Sequence, residues 1–260
     1  MNPAETVSIG QTLTRTSAKS NPARLLYAAV AFLLLVATLL GFQQFFLHGK
    51  AYPGREIVPH AKLLVVAHGV AMSSWIVLFV IQPLLIVGAH RRLHMTLGKI
   101  GAVLAACIVV LGLQVPIAVT RYGPEFPLWG LTRRQFMAIP IISILVFGIF
   151  VAIGVWYRRR PEIHRPMMLL ATLSIVAAAT DRITGLSALY DESIWGRLFG
   201  PFFPALVIGA MFLVVKWLLT RSFDRYLAAG YAALIAADAM IMALAPSEAW
   251  GRFAAFLVGS

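Results

Sequence analysis

His68, Trp75 and Gln82 stand seven residues apart inside an almost unbroken apolar run, residues 62 to 87. At 100° per helical residue each step of seven drifts by only about 20°, so the three side chains share one stripe of a helix. Polar groups at hydrocarbon depth turn toward other helices, a water-filled cavity or a cofactor. The chemistry open to this stripe is that of an imidazole that carries a proton or ligates a metal, an indole N–H donor and a carboxamide. Trp normally favours membrane interfaces, and the mid-run Trp75 N–H is expected to find Gln82 or Ser73.

Depth decides which other polar residues can join them. Counted from the outer ends of their apolar runs, His68, Gln114, Asp181, Arg182 and Asp238 all fall four to eight residues in, about 6 to 12 Å below the boundary. An ionised Asp or Arg facing lipid costs a few kcal/mol, so these side chains are expected to face inward as one polar layer. There His68 carries a proton or binds a cofactor, and Asp181 orients it or balances its charge. Equally open is a packing role in which Asp181 and Arg182, about 100° apart on a helix, each pair with a neighbouring helix.

A second cluster belongs to the opposite face. His90 and His94 are four residues apart, and His164 opens a later apolar run. Three imidazoles can hold a zinc, copper or iron ion, the basis of a metal-dependent hydrolase reading; the plainer one is basic side chains at head-group level. His94 and His164 can instead be the two ligands of one haem b, provided that the third and fifth spans are neighbours. His68 lies about 30 Å from both and cannot share a haem with either.

The elements that must position these groups are membrane helices. Sixty per cent hydrophobic residues, 12% charged residues and a mean hydropathy of +0.84 exceed what a soluble core of this length needs. Seven apolar tracts, 25 to 47, 62 to 87, 97 to 119, 136 to 157, 166 to 186, 201 to 219 and 226 to 245, can each satisfy their backbone internally as a helix. The expected fold is an all-α integral membrane bundle of about seven spans: a polar tail 1–24, a membrane domain 25–245 and an interfacial segment 246–260. With the N-terminus inside and the C-terminus outside, 13 of the 22 Lys and Arg fall on the inner side. The net charge of +12 is spread over loops beside the spans, which suits lipid head groups and argues against nucleic acid. A lone Cys107 excludes an internal disulfide, and Lys216 is placed unlike a Schiff-base lysine in a last span.

Two turns look alike. Residues 88 to 101 and 157 to 171 each end one apolar run, present an Arg cluster and then a His, His94 or His164, and start the return run; a hairpin duplication or topology alone accounts for this. With the His68, Trp75 and Gln82 run before them, these turns resemble those of a group of bacterial polytopic membrane proteins with HRxLG-like and HRxxM-like inner-face turns. Here the first reads His94-Met95-Thr96-Leu97-Gly98, with Met where the pattern has Arg, and the second His164-Arg165-Pro166-Met167-Met168. The resemblance implies a multi-pass bundle in a bacterial inner membrane and no particular reaction.

Three function classes follow from this chemistry. The first is a haem-binding or quinone-interacting redox protein built on His68, Trp75, Gln82, His94, His164, Asp181 and Arg182. The second is a small-solute or proton-coupled transporter with Asp181, Arg182 and Asp238 along its path. The third is an assembly subunit whose polar residues bind helices, with membrane lipids and another membrane subunit as partners.

Overall fold

In the computed structural model residues 22–52, 55–125 and 127–259 are described, and nearly all of the expected polar tail lies outside them. Among the described residues seven helices are long and apolar enough to cross a membrane. They are α1 (Pro22–Gly41), α2 (Lys62–Val87), α3 (Arg91–Tyr122), α4 (Ala138–Trp156), α5 (Pro161–Thr180), α6 (Phe203–Thr220) and α7 (Arg225–Leu244), followed by a shorter α8 (Glu248–Val258). Phe32, Leu39, Val70, Val103, Ile149 and Met211 point outward from these helices. Side chains of that kind on the outside suit a lipid solvent.

The first five helices close a ring. Each of α1 to α4 packs against the next, and α5 packs against both α4 and α1. Helices α6 and α7 lie outside the ring against α5. This makes α5 the most enclosed helix, with 13 of its 20 residues buried. Its buried stretch is rich in small residues, Ala171, Thr172, Ser174, Ala177 and Ala179, which let neighbouring backbones come close.

The closest approach is at Gly41, where α1 ends. A Cβ there would sit 2.0 Å from the Ala179 carbonyl oxygen, so only glycine fits without moving a helix. Gly41→Val is expected to destabilise the detergent-solubilised protein by about 3 kcal/mol or more, read as a lowered thermal midpoint. A midpoint equal to that of the parent protein would contradict this packing.

Several boundaries differ from those expected. The run 25 to 47 is broken after Gly41: a short helix, Gln43–His48, leads into a hairpin of strands Lys50–Tyr52 and Arg55–Glu56. Helix α3 begins at Arg91, six residues before the apolar tract, so His94 lies within its first turn. Helix α5 spans Pro161 to Thr180, where 166 to 186 was expected. Pro161 at the first helical position and Glu162 in the first turn favour a start there, although both are too polar or unusual for a hydropathy count to include. The interfacial segment is the amphipathic α8, capped by Ser247 and docked on α3 and the Arg133–Phe136 turn. Its Trp250 Nε1 donates to the Arg134 carbonyl at 3.0 Å, while Phe253 and Phe256 face outward.

Candidate functional site

The ring encloses a cavity of about 760 Å³, open at the end that carries the hairpin. All five helices contribute to its wall. The floor is Trp75, 4% exposed, whose Nε1 donates to Thr172 Oγ1 of α5 at 3.3 Å and whose ring meets Phe147 edge to face at 4.9 Å. The expected partners Gln82 and Ser73 are not the ones found. Ser73 lies on the same helix and donates back to the Gly69 carbonyl, whereas Thr172 comes from across the ring.

Above this floor two polar atoms are left over. His68 Nδ1 and Ser143 Oγ are both buried, both belong to residues lining the cavity, and neither has a hydrogen-bond partner among the described residues. A buried polar atom without a partner costs about 1 to 3 kcal/mol, so such atoms mark places where a water or ligand completes the structure. Gly112 keeps the wall beside them open. A Cβ there would lie 2.7 Å from Ile144 Cγ1 and 3.2 Å from His68 Cε1.

Asp181 and Arg182 are at the mouth, not in a layer with His68. The reason is the early end of α5: Asp181 is its C-cap and Arg182 follows it. Asp181 accepts from Trp129 Nε1 at 2.7 Å and from Tyr52 Oη at 3.1 Å. Arg182 stacks over the Tyr52 and Phe42 rings, 4.1 and 4.7 Å from their centres. Burial, against the opposing pull of Arg182, pushes the Tyr52 phenol above its ordinary pKa, so it stays protonated as a donor to the carboxylate. Trp129 adopts φ +54° beside Gly130 at +71°, in a tight turn closed by a Leu128–Leu131 bridge. A bulky residue with positive φ needs compensation, and the bond to Asp181 supplies it. Asp181→Ala orphans both donors and is expected to cost about 1.5 to 3 kcal/mol and loosen this rim. Protease susceptibility of the 123–133 segment would report it; unchanged digestion would count against the tether.

At the opposite end of the ring the histidine turns meet. The His94 and His164 ring centres are 6.3 Å apart and their planes are 88° to one another. His164 Nδ1 lies 2.8 Å from the Gly154 carbonyl oxygen. His94 Nδ1 and both amide atoms of the Gln82 side chain are buried without a hydrogen-bond partner among the described residues. Helices α3 and α5 are not packed side by side; their histidines reach one another across the ring interior, so neighbouring spans are not needed. His90 does not join them. It is exposed at the N-cap of α3, and no three His, Cys, Asp or Glu side chains among the described residues cluster as metal ligands.

The expected outer layer therefore separates. Gln114 is exposed on α3 and donates back to the Val110 carbonyl, and Asp238, buried on α7, is not part of the cavity wall. His60 is exposed and stacks on Tyr122 at 5.2 Å. Ser143, Thr172, Gly112, Tyr52 and Trp129 were not anticipated. A lone hydroxyl within the very apolar α4 is the one sequence signal that pointed to Ser143. Comparison of the chain with protein-family models, with curated proteins and with solved structures finds no match.

Proposed function

We propose that the chain is a multi-pass membrane redox protein whose ring cavity takes a quinone-like molecule, flat, apolar and carrying carbonyl acceptors. The observation that carries this reading is the pairing of an apolar cavity of about 760 Å³ with two buried, unpartnered polar atoms, His68 Nδ1 and Ser143 Oγ. That volume lies within the range of small-molecule sites, which are apolar with few polar groups to fix orientation. The Ser143 hydroxyl donates to a quinone carbonyl. Neutral His68 presents Nδ1 as a donor in one tautomer and an acceptor in the other, so it serves both a quinone carbonyl and a quinol hydroxyl. Trp75 gives the cavity an aromatic floor, held from behind by Phe147 packed edge to face against it.

The Arg-rich end with His94 and His164 faces the cytoplasm of a bacterial inner membrane, and the cavity mouth opens at the other side, in keeping with the excess of Lys and Arg at the former. A transport path is less well supported, because Asp238 stands apart from the cavity and Trp75 closes its floor. Organic extraction of protein purified from native membranes tests the reading. About one quinone per chain is expected; extracts holding phospholipid alone at every purification step would count against it.

A further inference from the structure

One seam in the cavity wall is closed by a side chain instead of by backbone packing. We propose that the site takes quinones carrying a prenyl tail, and that the tail leaves the ring sideways into the bilayer between the Gln43–His48 helix and α2, where Phe45 lies over Gly69. This deepens the quinone reading and rests on it.

The lining carries the first part of the argument. His68, Ser143 and Trp75 provide for one flat head group, and about 760 Å³ is far more space than that head group fills. On the side of the Gln43–His48 helix and α2 the remaining wall is apolar, with Phe45, Phe46, Val65 and Met72 lining it. Val65, Gly69 and Met72 follow the i, i+4, i+7 spacing of one helix face, and His68 is beside them, so a head group held at His68 has this strip next to it. Phe46 meets Phe45 at 5.8 Å and Phe42 at 6.5 Å, both edge to face, which gives the strip an aromatic border. Phe42, under the Arg182 guanidinium, marks where the strip meets the polar mouth. Hydrocarbon suits such a surface, and a second polar group does not.

The seam carries the second part. Where α1 meets α5 the contact is backbone on backbone, at Gly41 and the Ala179 carbonyl. The Gln43–His48 helix is fastened differently. It is held chiefly by the hairpin strand that follows it, none of its six residues is buried, and among the described residues no hydrogen bond or ion pair joins it to α2. It meets α2 at Phe45, whose ring tip lies 2.7 Å from where a Cβ on Gly69 would be. A phenyl ring turns about its side-chain bonds while the backbone stays in place, so this seam opens by a rotamer change. Phe46 and Leu47, 44% and 73% exposed, put apolar surface at the outside of the seam, where lipid is.

The test titrates the purified protein, in one detergent, with a single quinone head group in two forms, one without a tail and one with a tail of two isoprene units. Quenching of tryptophan fluorescence gives both affinities. The readout is the ratio of the two relative to that of the parent protein, in which partition into the micelle cancels. Phe46→Ala removes a tail contact and Gly69→Leu fills the seam, and each is expected to lower the preference for the prenylated form at least about fivefold. Phe46 is exposed, so its truncation spares the fold. A photoreactive group at the end of the tail should label residues 43–48 and 62–72. A ratio unchanged in both variants, or label confined to the mouth segment 123–131, would overturn the lateral path. Saturable binding of the tailless form alongside either result would leave the quinone site standing; if neither form bound, the quinone reading itself would fall.

Discussion

Replacing His68 by Leu leaves the ligand-free protein as stable as its parent, or stabilises it by about 1 kcal/mol, while lowering its affinity for a quinone at least about tenfold. Both signs follow from one atom. His68 Nδ1 is buried with no partner, so an apolar side chain removes an unmet desolvation penalty from the empty protein. In the occupied protein the same atom makes a hydrogen bond that Leu cannot, worth about 1.4 kcal/mol or more, which is a factor of ten in dissociation constant. Ordinary damage to a core moves stability and affinity down together; here they are expected to part. Thermal unfolding in detergent and a ligand titration on the same preparation check the pair. A less stable His68→Leu protein that bound the quinone normally would show that His68 is a packing residue.

Trp75→Ala should have the larger effect on the fold. The indole is almost wholly buried, packs on Phe147 from α4 and holds Thr172 of α5, so it ties three helices of the ring together at one level. Truncating a buried aromatic to Ala costs about 3 to 5 kcal/mol, and Thr172 loses a partner in addition. Removing the floor also opens the cavity toward Gln82, so a flat ligand loses its stacking surface and affinity falls with stability. Trp75→Phe keeps most of the ring area and drops only the N–H bond, for which about 1 kcal/mol is expected. Thermal midpoints of the two variants, compared in one detergent, separate packing from hydrogen bonding. Equal and small shifts in both would mean that the ring does not bear on the helices around it.

The helical class was legible because a membrane helix announces itself by length and hydropathy, and α2, α4, α6 and α7 lie close to where the apolar tracts place them. Helix α5 was the least well placed because it is the most enclosed. Its start is set by Pro161, and it stops at Thr180 where the Asp181 carboxylate turns to Trp129 and Tyr52, whereas hydropathy reports contact with lipid. That six-residue shift moved Asp181 and Arg182 from an intramembrane layer to the cavity mouth. The seven-residue stripe in α2 proved to be a seam along the ring interior. Its three members end differently: His68 lines the cavity, Trp75 bonds Thr172, and the Gln82 amide is buried without a partner among the described residues. Fourteen residues separate its ends, about 21 Å of helix, so only its His68 end and Trp75 reach the cavity. What the stripe meets could not be read from one helix, since Ser143, Thr172 and Trp129 reach it only through the closure of the ring.

The cavity's occupancy by a quinone is tested most directly by titrating the purified protein with a short-chain quinone and following quenching of tryptophan fluorescence, with Trp75→Phe as the control for the floor. The expected result is saturation at one quinone per chain, with the quenching largely lost in Trp75→Phe and the midpoint shifted at least about tenfold in His68→Leu. Non-saturating quenching that is the same in all three proteins would contradict a quinone site in the ring.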